Sequence, residues 1–167
     1  PRRTGLEQRR PGPCIEATLA WLIELHQAQS LKAEETLRTV EREGRASYFW
    51  HFLMGSILME RGEWRAAHQE LTLALDLRPA SLEALFLRAA SRLRTEDWAG
   101  ALEDAHRAVE AAPRNSPVAA LVYLLRAHIL HELSDPQAVA DLRHVTRYAP
   151  ALASKMTPLV NRWTGGR

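Results

Sequence analysis

The chain is 167 residues long, 46% hydrophobic and 25% charged, with 8 glycines and 9 prolines, which excludes collagen-like, wholly disordered and simple coiled-coil proteins. Its one cysteine, Cys14, cannot close an internal disulfide, and no apolar run nears the ~18 residues of a membrane-spanning helix. The net charge of +2 divides unevenly: Arg2, Arg3, Arg9 and Arg10 against Glu7 give residues 1–13 a charge of +3 and leave the body at −1, so a nucleic-acid partner is not favoured. That basic tail is not followed by the apolar core of a secretory signal, and the expected setting is a reducing, cytoplasmic compartment. After the tail, Cys14–Gln27 and Leu31–Glu43 read as helices parted at Ser30 and closed by Gly44. Ser47 caps a helix to about Glu60, which Gly62 breaks. Glu63 or Trp64 opens the next, which runs to about Leu77 and stops before Pro79. Ser81 caps the following helix and Thr95 the one after it. Ser116-Pro117 is an N-cap with proline in the first turn, and Ser134-Asp135-Pro136 repeats that logic. A last helix from Ala151 to Trp163 seals the end through Met156, Leu159, Val160 and Trp163, before Gly165-Gly166 frees the tail. No segment alternates with the period of a strand, so the fold class is all-α.

The helices repeat. Trp64 and Trp98, Ala67 and Ala101, Ala74 and Ala108, and Pro79 and Pro113 are each 34 residues apart. A further copy with Ala138, Leu142, Val145 and Pro150 lies 37 residues on, and Ala33, Leu37 and Val40 lie 34 residues back. A two-helix unit cannot bury its apolar face alone, so neighbouring units must stack.

These residues resemble the tetratricopeptide repeat (TPR) family, whose 34-residue helix–turn–helix unit carries spaced small residues, an aromatic and a closing proline. The second unit supplies Gly55, Leu58, Gly62, Trp64, Ala67, Leu71, Ala74 and Pro79, and the third Leu85, Ala89, Trp98, Ala101, Ala105, Ala108 and Pro113. The fourth keeps Ala127, Ala138, Leu142, Val145 and Pro150, but has a longer entry loop, a one-residue deletion and Asp135 where the aromatic belongs. The first keeps Trp21, Ala33, Leu37 and Val40 and lacks both the aromatic and the proline. The resemblance implies a right-handed superhelical solenoid of antiparallel helix pairs at 14–47, 48–81, 82–115 and 116–150, with 151–167 as a C-terminal capping helix and tail.

It also implies that the first helix of each pair lines a concave groove. Projected onto this chain, the peptide-binding residues are Leu22, Leu25, Phe49, Phe52, Met59, Phe86, Leu93, Leu121, Leu124 and His128. The expected function is that of a non-catalytic protein–protein interaction module (an adaptor, assembly factor or chaperone) holding an apolar or amphipathic peptide or helix. The positions where co-chaperone members grip a C-terminal carboxylate hold Thr18, Leu22, Leu53, Glu83 and Leu87, and none suits that task. The apolar groove is more similar to that of the type III secretion chaperones of the family. The competing expectation is a structural segment whose groove is filled by its own chain or by a dimer mate in a homo-oligomer.

Other chemistry finds little support. His128 and His131 lie one turn apart with Glu132 beside them, but a zinc site needs more ligands, and no metal, cofactor or small-molecule substrate is expected. There is no Gly-rich phosphate loop and no nucleophile elbow, so an enzyme is not expected. Glu103-Asp104 reads as a solvated pair on a helix face. Arg88, Arg92 and Arg94 form a set that could meet phosphate, as do Arg38, Arg42 and Arg45, but solvated faces with interleaved carboxylates account for them.

Overall fold

The computed structural model describes residues 47–152, together with Ser154, Asn161 and Trp163. The basic tail, the first expected pair apart from Ser47 (and with it Leu22 and Leu25), and most of 151–167 lie outside the described residues. Among the described residues there is no strand, and there are six complete helices: α1 (Tyr48–Glu60), α2 (Trp64–Leu77), α3 (Leu82–Arg94), α4 (Trp98–Ala111), α5 (Pro117–Glu132) and α6 (Gln137–Tyr148). Residues 150–152 are helical again. None of the described helices is long and apolar enough to cross a membrane.

Each helix packs on the next through a connection of three to five residues, which is too short for anything but an antiparallel return. α1 also approaches α3, and α3 approaches α5, whereas the second helices of successive pairs stay further apart. The first helices therefore crowd together on one side.

Local chemistry sets the boundaries. Ser47, Ser81 and Ser116 each accept the backbone N–H three residues on, from Trp50 (3.2 Å), Ala84 (3.2 Å) and Ala119 (3.0 Å). A cap of this kind contributes about 1 kcal/mol. The first helices end in one repeated turn. Gly62, Glu96 and Ser134 have φ of 75°, 62° and 59°, and their N–H groups donate to the carbonyls of Met59, Leu93 and His131. The next N–H reaches the carbonyl one residue further back: Glu63 to Leu58 (2.9 Å), Asp97 to Arg92 (2.9 Å) and Asp135 to Leu130 (2.8 Å). This left-handed stop satisfies carbonyls that the helix end would otherwise orphan.

Two expectations are corrected here. Thr95 does not cap α4; it closes α3, its hydroxyl donating to the carbonyl of Arg92 at 3.1 Å. Asp97 caps α4 instead, accepting the Gly100 N–H at 3.1 Å. Likewise Ser134 is the left-handed residue, not a cap, and the Asp135 carboxylate takes the Gln137 N–H at 2.8 Å. Asp97 and Asp135 thus hold the same place in the turn. The deleted residue therefore falls between Asp135 and Ala138.

The repeat positions are the core. Ala67, Ala101 and Ala138, then Leu71, Ala105 and Leu142, then Ala74, Ala108 and Val145 are all buried. Removing one such Leu from water contributes roughly 1.5–3 kcal/mol. Trp64 and Trp98 lie half-buried against the same cluster, which runs without a break from Met59 on α1 to Ile129 on α5. A smaller cluster of Leu124, Ala127, Leu142, Val145 and Leu152 closes the α5–α6 end.

Candidate functional site

The first helices present an apolar row, narrower than the sequence suggests. Phe49 is 53% exposed. Phe52, Phe86 and Leu121 are half-buried, Phe52 and Phe86 resting on the main core and Leu121 on the smaller one. The other expected groove residues among the described ones are interior. Met59 (6% exposed), Leu93 (5%), Leu124 (2%) and His128 (2%) are buried within the chain. The physical reason is the close approach of the first helices, which turns one side of each into a seam. Leu22 and Leu25 lie outside the described residues.

An aromatic cluster that sequence reasoning missed heads the row. The Tyr48 ring stacks on Phe52 (5.7 Å, 13°) and meets Phe49 edge-on (5.3 Å, 73°). The Arg78 guanidinium stands 4.4 Å from the Tyr48 ring centre and 4.8 Å from that of Phe49. Such contacts are worth about 0.5–1 kcal/mol at exposed sites. The Tyr48 hydroxyl hydrogen-bonds Ser81 Oγ at 2.6 Å, which ties α1 to the cap of α3. Burial pushes the phenol above its usual range; the Ser81 bond opposes this, and Glu83 and Arg78 have smaller, opposed effects. The signal in the sequence was Tyr48 and Phe52 at i, i+4, with Arg78 just before a helix-stopping proline.

Polar side chains pin each hairpin from within. Asp104 is fully buried (0% exposed), which overturns its reading as a solvated carboxylate. Arg88 grips it in bidentate fashion: Nε donates to Oδ2 at 2.9 Å and Nη2 to Oδ1 at 2.6 Å. Arg92 Nη1 adds a bond to Oδ2 at 2.8 Å and another to the Gly100 carbonyl at 2.9 Å. The remaining Arg88 Nη1 donates to Thr72 Oγ1 at 3.2 Å. Arg126 and Asp141 reproduce the bidentate pair between α5 and α6, both bonds at 2.7 Å. The hydrogen bonds it donates to Asp141 hold the Arg126 guanidinium even more firmly protonated than usual, against the effect of burial. In the α1–α2 pair, His51 Nδ1 meets Glu70 Oε2 at 2.7 Å. Glu70, Asp104 and Asp141 occupy the same place in successive units.

These bonds engage two of the three arginines Arg88, Arg92 and Arg94. Arg88 and Arg92 are committed to Asp104, and the Arg94 guanidinium lies 4.9 Å from the Trp64 ring centre. Near them His68 is held below the ordinary histidine range, first by burial and then by the positive charges of Arg92 and Arg88. On the α5–α6 pair, His144 stacks between Tyr123 (4.3 Å, 7°) and Tyr148 (6.2 Å, 23°). Arg126 and Arg147 cover the rings of Tyr123 and Tyr148, at 5.3 and 5.5 Å from their centres.

The far end of the row is occupied by the chain itself. Trp163 stacks on His131 (4.2 Å, 17°), meets His128 edge-on (5.5 Å, 79°) and packs on the cluster around Leu124. Among the described residues no three His, Cys, Asp or Glu side chains come together as a metal cage would require. What the surface can do chemically is bury apolar area: a half-exposed aromatic row beside one cation. No protein-family model matches the chain. No curated protein matches it significantly.

Proposed function

We propose that the chain is a TPR-like right-handed superhelical solenoid that serves as a non-catalytic interaction module in a cytoplasmic setting, as an adaptor, assembly factor or chaperone. Its partner is an apolar or amphipathic peptide or helix laid across the first helices (the helix-in-groove mode). The observation that carries this reading is the row Phe49, Phe52, Phe86 and Leu121 on three successive first helices, none of them fully buried. An aromatic row of this kind is the usual mark of a surface that pairs with another apolar surface.

Selection of peptides from a displayed library provides the ligand for the test. Binding is then compared between the unaltered chain, Phe49→Glu, and the double variant Phe52→Glu with Phe86→Glu. Phe49 is the most exposed of the row, so its variant keeps the fold. Loss of binding with unchanged melting supports the module. Unchanged binding in all variants removes the row from the function.

The second reading, a segment whose groove is filled by its own chain or by a dimer mate, is favoured by one observation: Trp163 already sits on α5. It expects collapse of the fold or of an oligomer in the same variants.

A further inference from the structure

The buried positions of the first helices follow one register. Ser56 and Met59 on α1 correspond to Ala90 and Leu93 on α3, and to His128 and His131 on α5. In the first two helices these places hold small or apolar side chains, all buried. In α5 both are histidine, and the residue seated on them is Trp163. The His128 ring is 2% exposed, and neither Nδ1 nor Nε2 has a hydrogen-bond partner. A polar group buried without a partner weakens the contact that buries it. The terminal seam is thus built less firmly than the two internal ones, and its weak point is a group that gains charge in mild acid.

We infer that Trp163 is a protonation-sensitive latch: its indole stays seated on α5 while His128 is neutral, and leaves when His128 takes up a proton. His128 meets Trp163, and Trp163 itself packs on an apolar cluster: Leu124 and Ala127 of α5, Leu142 and Val145 of α6, and Leu152. Among the described residues, the titratable neighbour is His131 on the same helix, and its proximity disfavours a second positive charge. The charges of the neighbouring elements are placed elsewhere. On α6 Asp141 is bound to Arg126, His144 is stacked between Tyr123 and Tyr148, and Arg143 and Arg147 are exposed; on α4 Glu103, His106 and Glu110 are exposed and Arg107 donates to the Pro79 carbonyl; on α3 Arg88 and Arg92 are bound to Asp104 of α4, and Arg94 lies over Trp64.

Burial, with a smaller contribution from His131, lowers the His128 ring from 6.5 to about 4. The direction follows from the linkage. Above pH 6.5 the ring is neutral whether Trp163 is seated or free. Between 6.5 and 4 the freed ring binds a proton and the covered one does not, so acid favours release. Full hydration of the freed ring would set a ceiling of about twentyfold on the weakening of seating between pH 7 and pH 5. Release also uncovers the face of α5 that matches the seams used inside the fold.

The test uses the full chain labelled with 5-fluorotryptophan, its five fluorine signals assigned with Trp163→Phe. Between pH 7 and pH 5 the Trp163 signal alone should move to the solvent-exposed position. In His128→Leu it should stay seated over the same range. If that variant folds poorly, the histidine ring signals of the unaltered chain decide, because the His128 midpoint must coincide with Trp163 release. The latch is overturned if Trp163 moves only when the other tryptophans do, if it moves equally in His128→Leu, or if the His128 and Trp163 midpoints differ.

Discussion

Gly55 of α1 lies so close to Leu71 of α2 that a β-carbon there would stand 2.7 Å from the leucine Cγ. The corresponding pairs along the chain are Ala89 with Ala105 and Ala127 with Leu142. Glycine at this place lets α1 and α2 meet over a full-sized leucine. Gly55→Ala gains ~0.5–1 kcal/mol of helix propensity but overpacks the seam by ~1–3 kcal/mol, so the net effect is destabilising. Chemical denaturation should show that loss, and a much smaller one in a Leu71→Ala background. Equal losses in the two backgrounds would remove the contact as the cause.

The repeated stop after each first helix makes a prediction of opposite sign. Glu96 and Ser134 adopt the left-handed conformation that Gly62 adopts without steric cost. A side chain there costs roughly 1–2 kcal/mol. Glu96→Gly and Ser134→Gly should therefore each raise the melting temperature, and Gly62→Ala should lower it. A fall in both glycine variants would contradict the shared-turn account.

Asp104 holds two guanidinium groups in the interior. Removing it leaves Arg88 buried without a counter-charge and Arg92 with Asp97 alone. Asp104→Ala should cost about 3–5 kcal/mol, whereas Asp76→Ala, at an exposed position, should stay within about 0.5 kcal/mol. Denaturant midpoints of the two variants check this directly. A mild phenotype at Asp104 would mean that the bridge is not a principal support of the α3–α4 pair.

His68 adds a pH dependence of its own. Its folded-state pKa lies below the ordinary 6.5 because of burial and then Arg92 and Arg88. The unfolded ring therefore binds a proton first. The contribution of neutral His68 is complete above about pH 6.5 and declines as pH falls below it. His68→Gln should flatten the decline in melting temperature between pH 7 and pH 5. An unaltered slope would show that other groups govern that limb.

The helix boundaries were legible because they rest on local chemistry: Ser47, Ser81 and Ser116 beside their own helices, and Pro79 after α2. The 34-residue spacing likewise pointed to the buried alanines and leucines that the structure confirms. Features that depend on residues far apart were harder to see. Asp104 looked solvated because Arg88 is 16 residues away on another helix, although Arg126 and Asp141 repeat the pairing at a separation of 15. Glu96 and Ser134 gave no sign of a left-handed turn because neither is glycine. Half of the described groove candidates are buried for a related reason. Periodicity identifies the side of a helix, and the distance to the next first helix then decides whether Met59, Leu93, Leu124 and His128 see solvent.

Every ion pair among the described residues joins two helices, or a helix and its own turn, inside one hairpin: His51 with Glu70, Arg88 and Arg92 with Asp104, Arg92 with Asp97, and Arg126 with Asp141. Contacts from one hairpin to the next rely on grease, ring faces and a few neutral hydroxyl or carbonyl acceptors. Under tension applied across α1 to α6, the described hairpins are therefore built to part from one another in hairpin-sized steps before any of them tears internally.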